Sequence, residues 1–164
     1  MSPVFPPSVV LAQGSTLASY AKVYELQADG VNGGAAASGW QTRVLNTEID
    51  PDGILTLASN RIVLAAGTYD SLILVPQVNV DGATARLRNV TGGTTVLIGM
   101  DVYAGPTGGA ANLTPVVGRF TIAASQSLEV QSYCTFSYAA FGLGIANNFG
   151  VGEVYTVAEF WKVS

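Results

Sequence analysis

Turn-forming residues interrupt this sequence at short intervals, and the runs between them are rich in Val, Ile, Thr, Tyr and Phe. Runs of about five to twelve such residues, each bounded by Gly, Asn, Asp or Pro, are typical of the strands of an all-β domain. No run has the spacing of apolar residues that an amphipathic helix needs. The pattern predicts ten strands, at residues 20–27, 40–46, 54–57, 61–64, 68–75, 84–90, 94–100, 116–123, 127–138 and 153–163.

The turns between these runs favour two packed sheets. Asp81-Gly82 and Gly92-Gly93 supply the positive φ angles of tight hairpins, so strands 84–90 and 94–100 are expected to pair antiparallel. The glycine-rich stretches 29–39 and 104–112 are expected to be surface loops. Ten short strands in a single domain of 164 residues predict an all-β, two-sheet antiparallel sandwich.

Several of the predicted strands are apolar on both faces. Residues 68–75 and 153–163 carry hydrophobic side chains on both alternating sets, unlike a strand with one face in water. The chain is 49% hydrophobic and only 11% charged, yet no apolar run reaches the roughly 18 residues of a membrane-spanning helix. We therefore expect no membrane insertion, and we expect one strand face to contact another copy of the chain.

The residue types argue against catalysis. Histidine is absent, which removes Ser-His-Asp and Cys-His nucleophiles and imidazole metal ligands. The acidic residues lie at strand ends and turns, and no candidate nucleophile flanked by glycines lies near them. The single cysteine, Cys134, lies among aromatic residues, which suits a packed side chain. The net charge is −4 and no basic stripe is present, so nucleic acid is not an expected partner. The sequence predicts a protein that is not an enzyme and binds no cofactor.

Three carboxylates alternate in the stretch NTEIDPDG, at Glu48, Asp50 and Asp52. In an extended chain they would converge on a calcium ion, which prefers oxygen ligands. Asp-Pro-Asp-Gly is also strong turn chemistry by itself, because Pro fixes φ and Gly takes the left-handed conformation. We favour the turn and expect no metal, with calcium as the alternative.

Five short motifs follow one another in a particular order along the first half of the chain: Trp40, residues 45–47, a turn at 50–53, a strand at 61–64 and Gly-Thr-Tyr at 67–69. This order resembles the jelly-roll domains of the complement component 1q and tumour necrosis factor proteins, in the version found in bacteriophage structural proteins. The stretches 85–99, 118–134, 142–150 and 153–163 continue the resemblance to the C-terminus. Each motif alone is an ordinary strand or turn, so the resemblance rests on their order and span.

The resemblance implies a jelly roll of ten strands that trimerises around a three-fold axis through one sheet. It also implies display on the exterior of a virion, as a receptor-binding fibre tip or a capsid decoration (cement) protein, without catalysis. Residues 20–164 would form the jelly roll, and residues 1–19 an extended arm that anchors it to other capsid, fibre or tail proteins. The candidate anchors in the arm are Val4, Phe5, Val9, Val10 and Leu11.

Two further sets of residues are candidates for contacts. The candidate trimer interface mixes both faces of its strands, because a shift of one residue exchanges the faces. It comprises Tyr69, Leu72, Leu74, Tyr133, Phe160 and Trp161. The candidate binding loops, which would meet a host-surface glycan or protein, comprise Tyr103, Asn112, Tyr138, Phe141, Asn147 and Asn148. The alternative function is a soluble lectin-like carbohydrate-binding module, since aromatic faces beside Asn and Asp also recognise sugars.

Overall fold

A computed structural model describes residues 19–105 and 107–163. Within these residues the chain forms twelve β-strands and no helix. The strands are β1 (Ser19–Gln27), β2 (Gly39–Thr42), β3 (Thr47–Ile49), β4 (Leu55–Ala58), β5 (Arg61–Leu64), β6 (Gly67–Val78), β7 (Asp81–Asn89), β8 (Thr94–Ile98), β9 (Val102–Ala104), β10 (Ala111–Ile122), β11 (Gln126–Cys134) and β12 (Glu153–Lys162). All ten predicted strands are present, and the short strands β3 and β9 were not predicted.

The strands form two antiparallel sheets. The five-stranded sheet has the order β10-β6-β12-β1-β3, and the seven-stranded sheet has the order β4-β5-β11-β7-β8 with β2 and β9 added beside β11 and β7. All of these pairings are antiparallel. The fold is therefore the two-sheet jelly-roll sandwich that the sequence predicted.

The two predicted hairpin turns have different outcomes. β7 and β8 pair with Asn89 opposite Thr94, and Gly93 between them has a φ of 69°, as expected. Asp81 also has a positive φ, of 60°, but it opens β7 together with Gly82 and does not form a hairpin. β6 and β7 belong to different sheets, so Asn79 and Val80 carry the chain across the sandwich. The hairpin expected at Asp81-Gly82 is wrong.

Burial determines which face of each doubly apolar strand fills the sandwich. On β6 the set that begins at Tyr69 is buried, so Leu72 and Leu74 point outward. On β12 Ala158 and Phe160 are buried, and Trp161 points outward. Tyr69 and Phe160 are completely buried within one chain, where Phe120 contacts both rings, with ring centroids at 5.6 and 6.4 Å. Placing Tyr69 and Phe160 at a trimer interface is therefore wrong.

The two ends of the sandwich differ. At the end that we call the base, β1 begins and β12 ends, with Ser19 opposite Lys162. At the opposite end, the loop end, segments 28–38 and 135–152 are joined by backbone hydrogen bonds such as Gly33 N to Gly144 O (2.9 Å) and Leu143 N to Gly34 O (3.1 Å). A second small core of buried residues lies at this end, made of Ala36, Val80, Ala83, Cys134 and Leu143. The expectation that Cys134 is a packed side chain is confirmed.

Candidate functional site

The outer face of the five-stranded sheet carries a continuous apolar surface. Cross-strand pairing places Leu72 opposite Val117, Leu74 opposite Pro115 and Val157, and Val157 opposite Tyr24. Leu113 and Val117 on the edge strand β10 are 54% and 63% exposed. We call this surface the apolar face, made of Tyr24, Leu72, Leu74, Leu113, Pro115, Val117 and Val157.

Charged pairs border the apolar face on the side of the base. Arg119 donates two hydrogen bonds to Asp70, at 2.6 and 2.7 Å, and these bonds lower the pKa of the Asp70 carboxyl. Lys22 lies 3.9 Å from Glu159 across β1 and β12. Trp161 packs against Tyr20 with ring centroids 5.5 Å apart. An apolar centre with a rim of paired charges is the usual composition of a protein–protein interface.

The apolar face continues around the sheet edge into a shallow groove. Ile98 and Met100, which are 61% and 65% exposed, line this groove of about 200 Å³ together with Gly99, Pro115 and Val117. Strands 94–100 and 116–123 were predicted, but sequence periodicity does not say which strands form the edges. Their exposed residues were therefore missed as candidates for the interface.

The predicted interface residues separate into three groups. Leu72, Leu74 and Trp161 lie on the outer face of the five-stranded sheet. Tyr69 and Phe160 lie in the core. Tyr133 belongs to β11 in the other sheet, where it pairs with Trp40 and Thr84. Grouping Tyr133 with the apolar face is therefore wrong, because the two sheets turn their outer faces in opposite directions.

The predicted loop residues lie towards the loop end, with unequal exposure. Tyr103 is 75% exposed, and Asn147 and Asn148 are exposed as well. Tyr138 and Phe141 are half-buried and contact each other, with ring centroids 4.9 Å apart. Asn112 is only 8% exposed and its amide donates to the carbonyl of Asp81 at 3.3 Å, so its prediction as an exposed residue is wrong.

The buried carboxylate of Glu153 binds backbone N–H groups from both segments of the loop end. One carboxylate oxygen of Glu153 accepts hydrogen bonds from the backbone N–H groups of Gly30, Asn147 and Asn148, at 3.3, 3.0 and 2.9 Å. These bonds, with that of Asn148 contributing most, lower the pKa of Glu153. The carboxylate thus joins both segments of the loop end to the start of β12.

The three carboxylates of the stretch NTEIDPDG accept hydrogen bonds from backbone N–H groups. Asp50 accepts from the N–H groups of Ile54 and Leu55 at 3.0 and 2.9 Å, Glu48 accepts from Leu57, and Asp52 accepts from Tyr20 at 2.8 Å. Among residues 19–105 and 107–163 no group of three or more acidic, Cys or His residues is arranged to hold a metal ion. These hydrogen bonds, with a φ of 63° at Gly53, confirm the predicted turn.

Comparison with known proteins supports the fold. No family model and no curated protein sequence matches the chain. The globular domain of zebrafish complement 1qA matches with a TM-score of 0.56 and 11% identity, over 90% of this chain and 98% of that chain. Murine APRIL at pH 5.0 matches with a TM-score of 0.58 and 12% identity, over 88% of this chain and 98% of that chain. The expected resemblance is confirmed for the fold, which is all that such low identity establishes.

Two further predictions concern membrane insertion and the N-terminal arm. No helix in the described part of the chain is long and apolar enough to cross a membrane. The predicted anchors Val4, Phe5, Val9, Val10 and Leu11 lie outside the described residues.

Proposed function

We propose that the chain is a non-enzymatic structural protein of a bacteriophage virion, in which three copies associate through the apolar face. The observation that carries the proposal is the apolar face itself, since a single chain leaves it in water. Exposed apolar surfaces of this kind mark interaction sites. The jelly-roll fold and the order of motifs along the chain support a trimer and a phage origin.

The two ends of the sandwich support display on the exterior surface of the particle. β1 begins at the base with Ser19, which is the residue that follows most of the proposed arm in the sequence. The aromatic and amide residues Tyr103, Asn147 and Asn148 lie towards the opposite end. An arm bound to a capsid, fibre or tail component would therefore direct the loop end away from the particle, either as a fibre tip or as a decoration of the shell.

Two measurements test the proposal. Light scattering of the purified chain should give three times its mass of 16.9 kDa. Gold-labelled antibody against the chain should decorate the outside of phage particles, and a head or tail position of the label separates the two roles. A monomeric mass contradicts the trimer, and unlabelled particles that contain the protein contradict exterior display.

Removal of residues 2–12 tests the arm. The truncated chain should keep the trimeric mass, because the apolar face is intact, and should be absent from particles assembled in its presence. Incorporation equal to that of the full chain would contradict an anchoring role.

A further inference from the structure

A cleft opens on the outer face of the seven-stranded sheet, on the side of the sandwich opposite the apolar face. Its volume is about 380 Å³, within the range of roughly 300–1,000 Å³ typical of small-molecule sites. The lining residues come from β7, β9, β11 and the segments that adjoin them: Gly82, Ala83, Thr84, Asp101, Val102, Tyr133 and Thr135. The cleft lies near the loop end, because Gly82 is at the start of β7 and Tyr133 is near the end of β11.

One wall of the cleft is the aromatic ring of Tyr133, which packs against residues beside the cleft. Tyr133 is 37% exposed and contacts the neighbouring Trp40 edge-on, with ring centroids 5.4 Å apart. The guanidinium carbon of Arg86 lies 3.8 Å from the centre of the Trp40 ring. Arg86 is itself fixed by two hydrogen bonds to the Gln131 side chain, at 3.0 and 2.8 Å. These contacts hold exposed aromatic rings in one position before any ligand binds, which reduces the entropy cost of binding.

The rest of the cleft combines small and polar groups. Gly82 has no side chain, and a Cβ atom at this position would meet Thr135 only at ordinary van der Waals distance, 3.4 Å. Thr84 adds a hydroxyl group and Asp101 adds a carboxylate. The Thr135 hydroxyl accepts from the Gly82 N–H at 3.1 Å and retains one lone pair for a ligand. An aromatic wall, a small floor and a few hydrogen-bonding groups suit a ligand that has both an apolar face and many hydroxyl groups.

We propose that this cleft binds a neutral sugar ring of a glycan. The C–H face of the ring would pack on Tyr133, and its hydroxyl groups would donate to Asp101 and to the Thr84 and Thr135 hydroxyl oxygens. The Asp101 carboxylate disfavours phosphates and acidic sugars, because like charges repel at short range. The cleft and the apolar face are on opposite sides of the sandwich, so a trimer joined through the apolar face alone leaves the cleft open. The proposal does not depend on the virion role.

The test is binding of the full chain to a panel of neutral and sialylated oligosaccharides, followed by titration with the strongest neutral binder. Gly82→Val adds a side chain inside the cleft and substitutes none of Tyr133, Asp101 and the two threonines. This variant should keep or raise the melting temperature, because valine suits a strand better than glycine does. Its affinity, and that of Tyr133→Ala and Asp101→Asn, should fall by at least about tenfold.

Phe149→Ala is the control, because Phe149 is an exposed aromatic residue of segment 135–152 and does not line the cleft. It should bind as the unmodified chain does. The proposal is overturned if no neutral glycan of the panel binds, if sialylated glycans bind better, or if folded Gly82→Val and Asp101→Asn retain full affinity.

Discussion

Arg43 shows how one buried side chain connects the two sheets. Its Nε donates to the Thr156 hydroxyl at 2.8 Å, and one terminal nitrogen lies 3.7 Å from a Glu25 oxygen, with all of these groups buried. Burial lowers the pKa of Arg43 to about 10, which the nearby Glu25 charge only partly offsets. Burial also raises the pKa of Glu25. Both charges are therefore costly to hold inside the sandwich, and each depends on the other.

This dependence predicts an asymmetry between single and double substitutions. Arg43→Met leaves the Glu25 carboxylate buried without its cation and should lower the free energy of unfolding by about 3–5 kcal/mol. Adding Glu25→Leu removes the uncompensated charge and should recover most of that loss. Urea unfolding at a fixed protein concentration measures both changes. A double variant as unstable as Arg43→Met would show that the pair is not the cause.

For strands and loops, the sequence predicted where each element lies along the chain better than it predicted which elements pack against one another. The strands could be predicted because each is marked by its own run of β-branched and aromatic residues, which is a local feature of the sequence. The two faces of β6 and β12 were both apolar, so Leu74 and Tyr69 were indistinguishable until the opposite sheet defined the inside. Tyr133 was misplaced for the same reason, because the assignment of β11 to a sheet depends on long-range pairing.

The cleft and the loop end illustrate the same limit. Trp40 and Tyr133 are 93 residues apart in the sequence and become neighbours only through the pairing of β2 with β11. Glu153 meets Gly30 through the pairing of β12 with β1. No local pattern signals such contacts, although Tyr103, Asn147 and Asn148 were placed correctly on the surface because turn residues surround them.

Glu153 gives the loop end a predictable response to pH. Its pKa is lower in the folded chain than in the unfolded chain, so its stabilising contribution is complete at neutral pH. The contribution is lost as the pH falls below the unfolded value of about 4.3 and through the lower folded value. When the pH is lowered, hydrogen exchange should show that the amides of residues 28–32 and 144–150 lose more of their protection than the amides of β6 lose.

Glu153→Gln should produce the same loss of protection already at neutral pH, because a neutral side chain accepts these N–H bonds more weakly. Glu48→Gln is the matched control, since Glu48 accepts from Leu57 in a different part of the molecule. Protection of the loop end that is equal in the Glu153→Gln chain and the unmodified chain would contradict this account.

For the whole molecule, each part of the surface has a distinct composition. The apolar face forms one side, the aromatic cleft lies on the other with the edge groove between them, and the base and loop end are at opposite ends. Three chains joined through the apolar face would bury that side while leaving the cleft and the loop end in water. The low charge content of the sequence is consistent with one face being covered in the proposed trimer.

This arrangement predicts opposite outcomes for two apolar-to-acidic substitutions on neighbouring strands. Leu74→Asp places a charge on the apolar face and should give a soluble, folded monomer, because three carboxylates would be desolvated together in the trimer. Phe160→Asp places the charge in the core beside Phe120 and should give insoluble or unfolded chain. Phe149→Asp, at the exposed loop end, is the matched control and should remain trimeric. Light scattering with circular dichroism distinguishes the three, and a trimeric Leu74→Asp chain would show that the apolar face is not the interface.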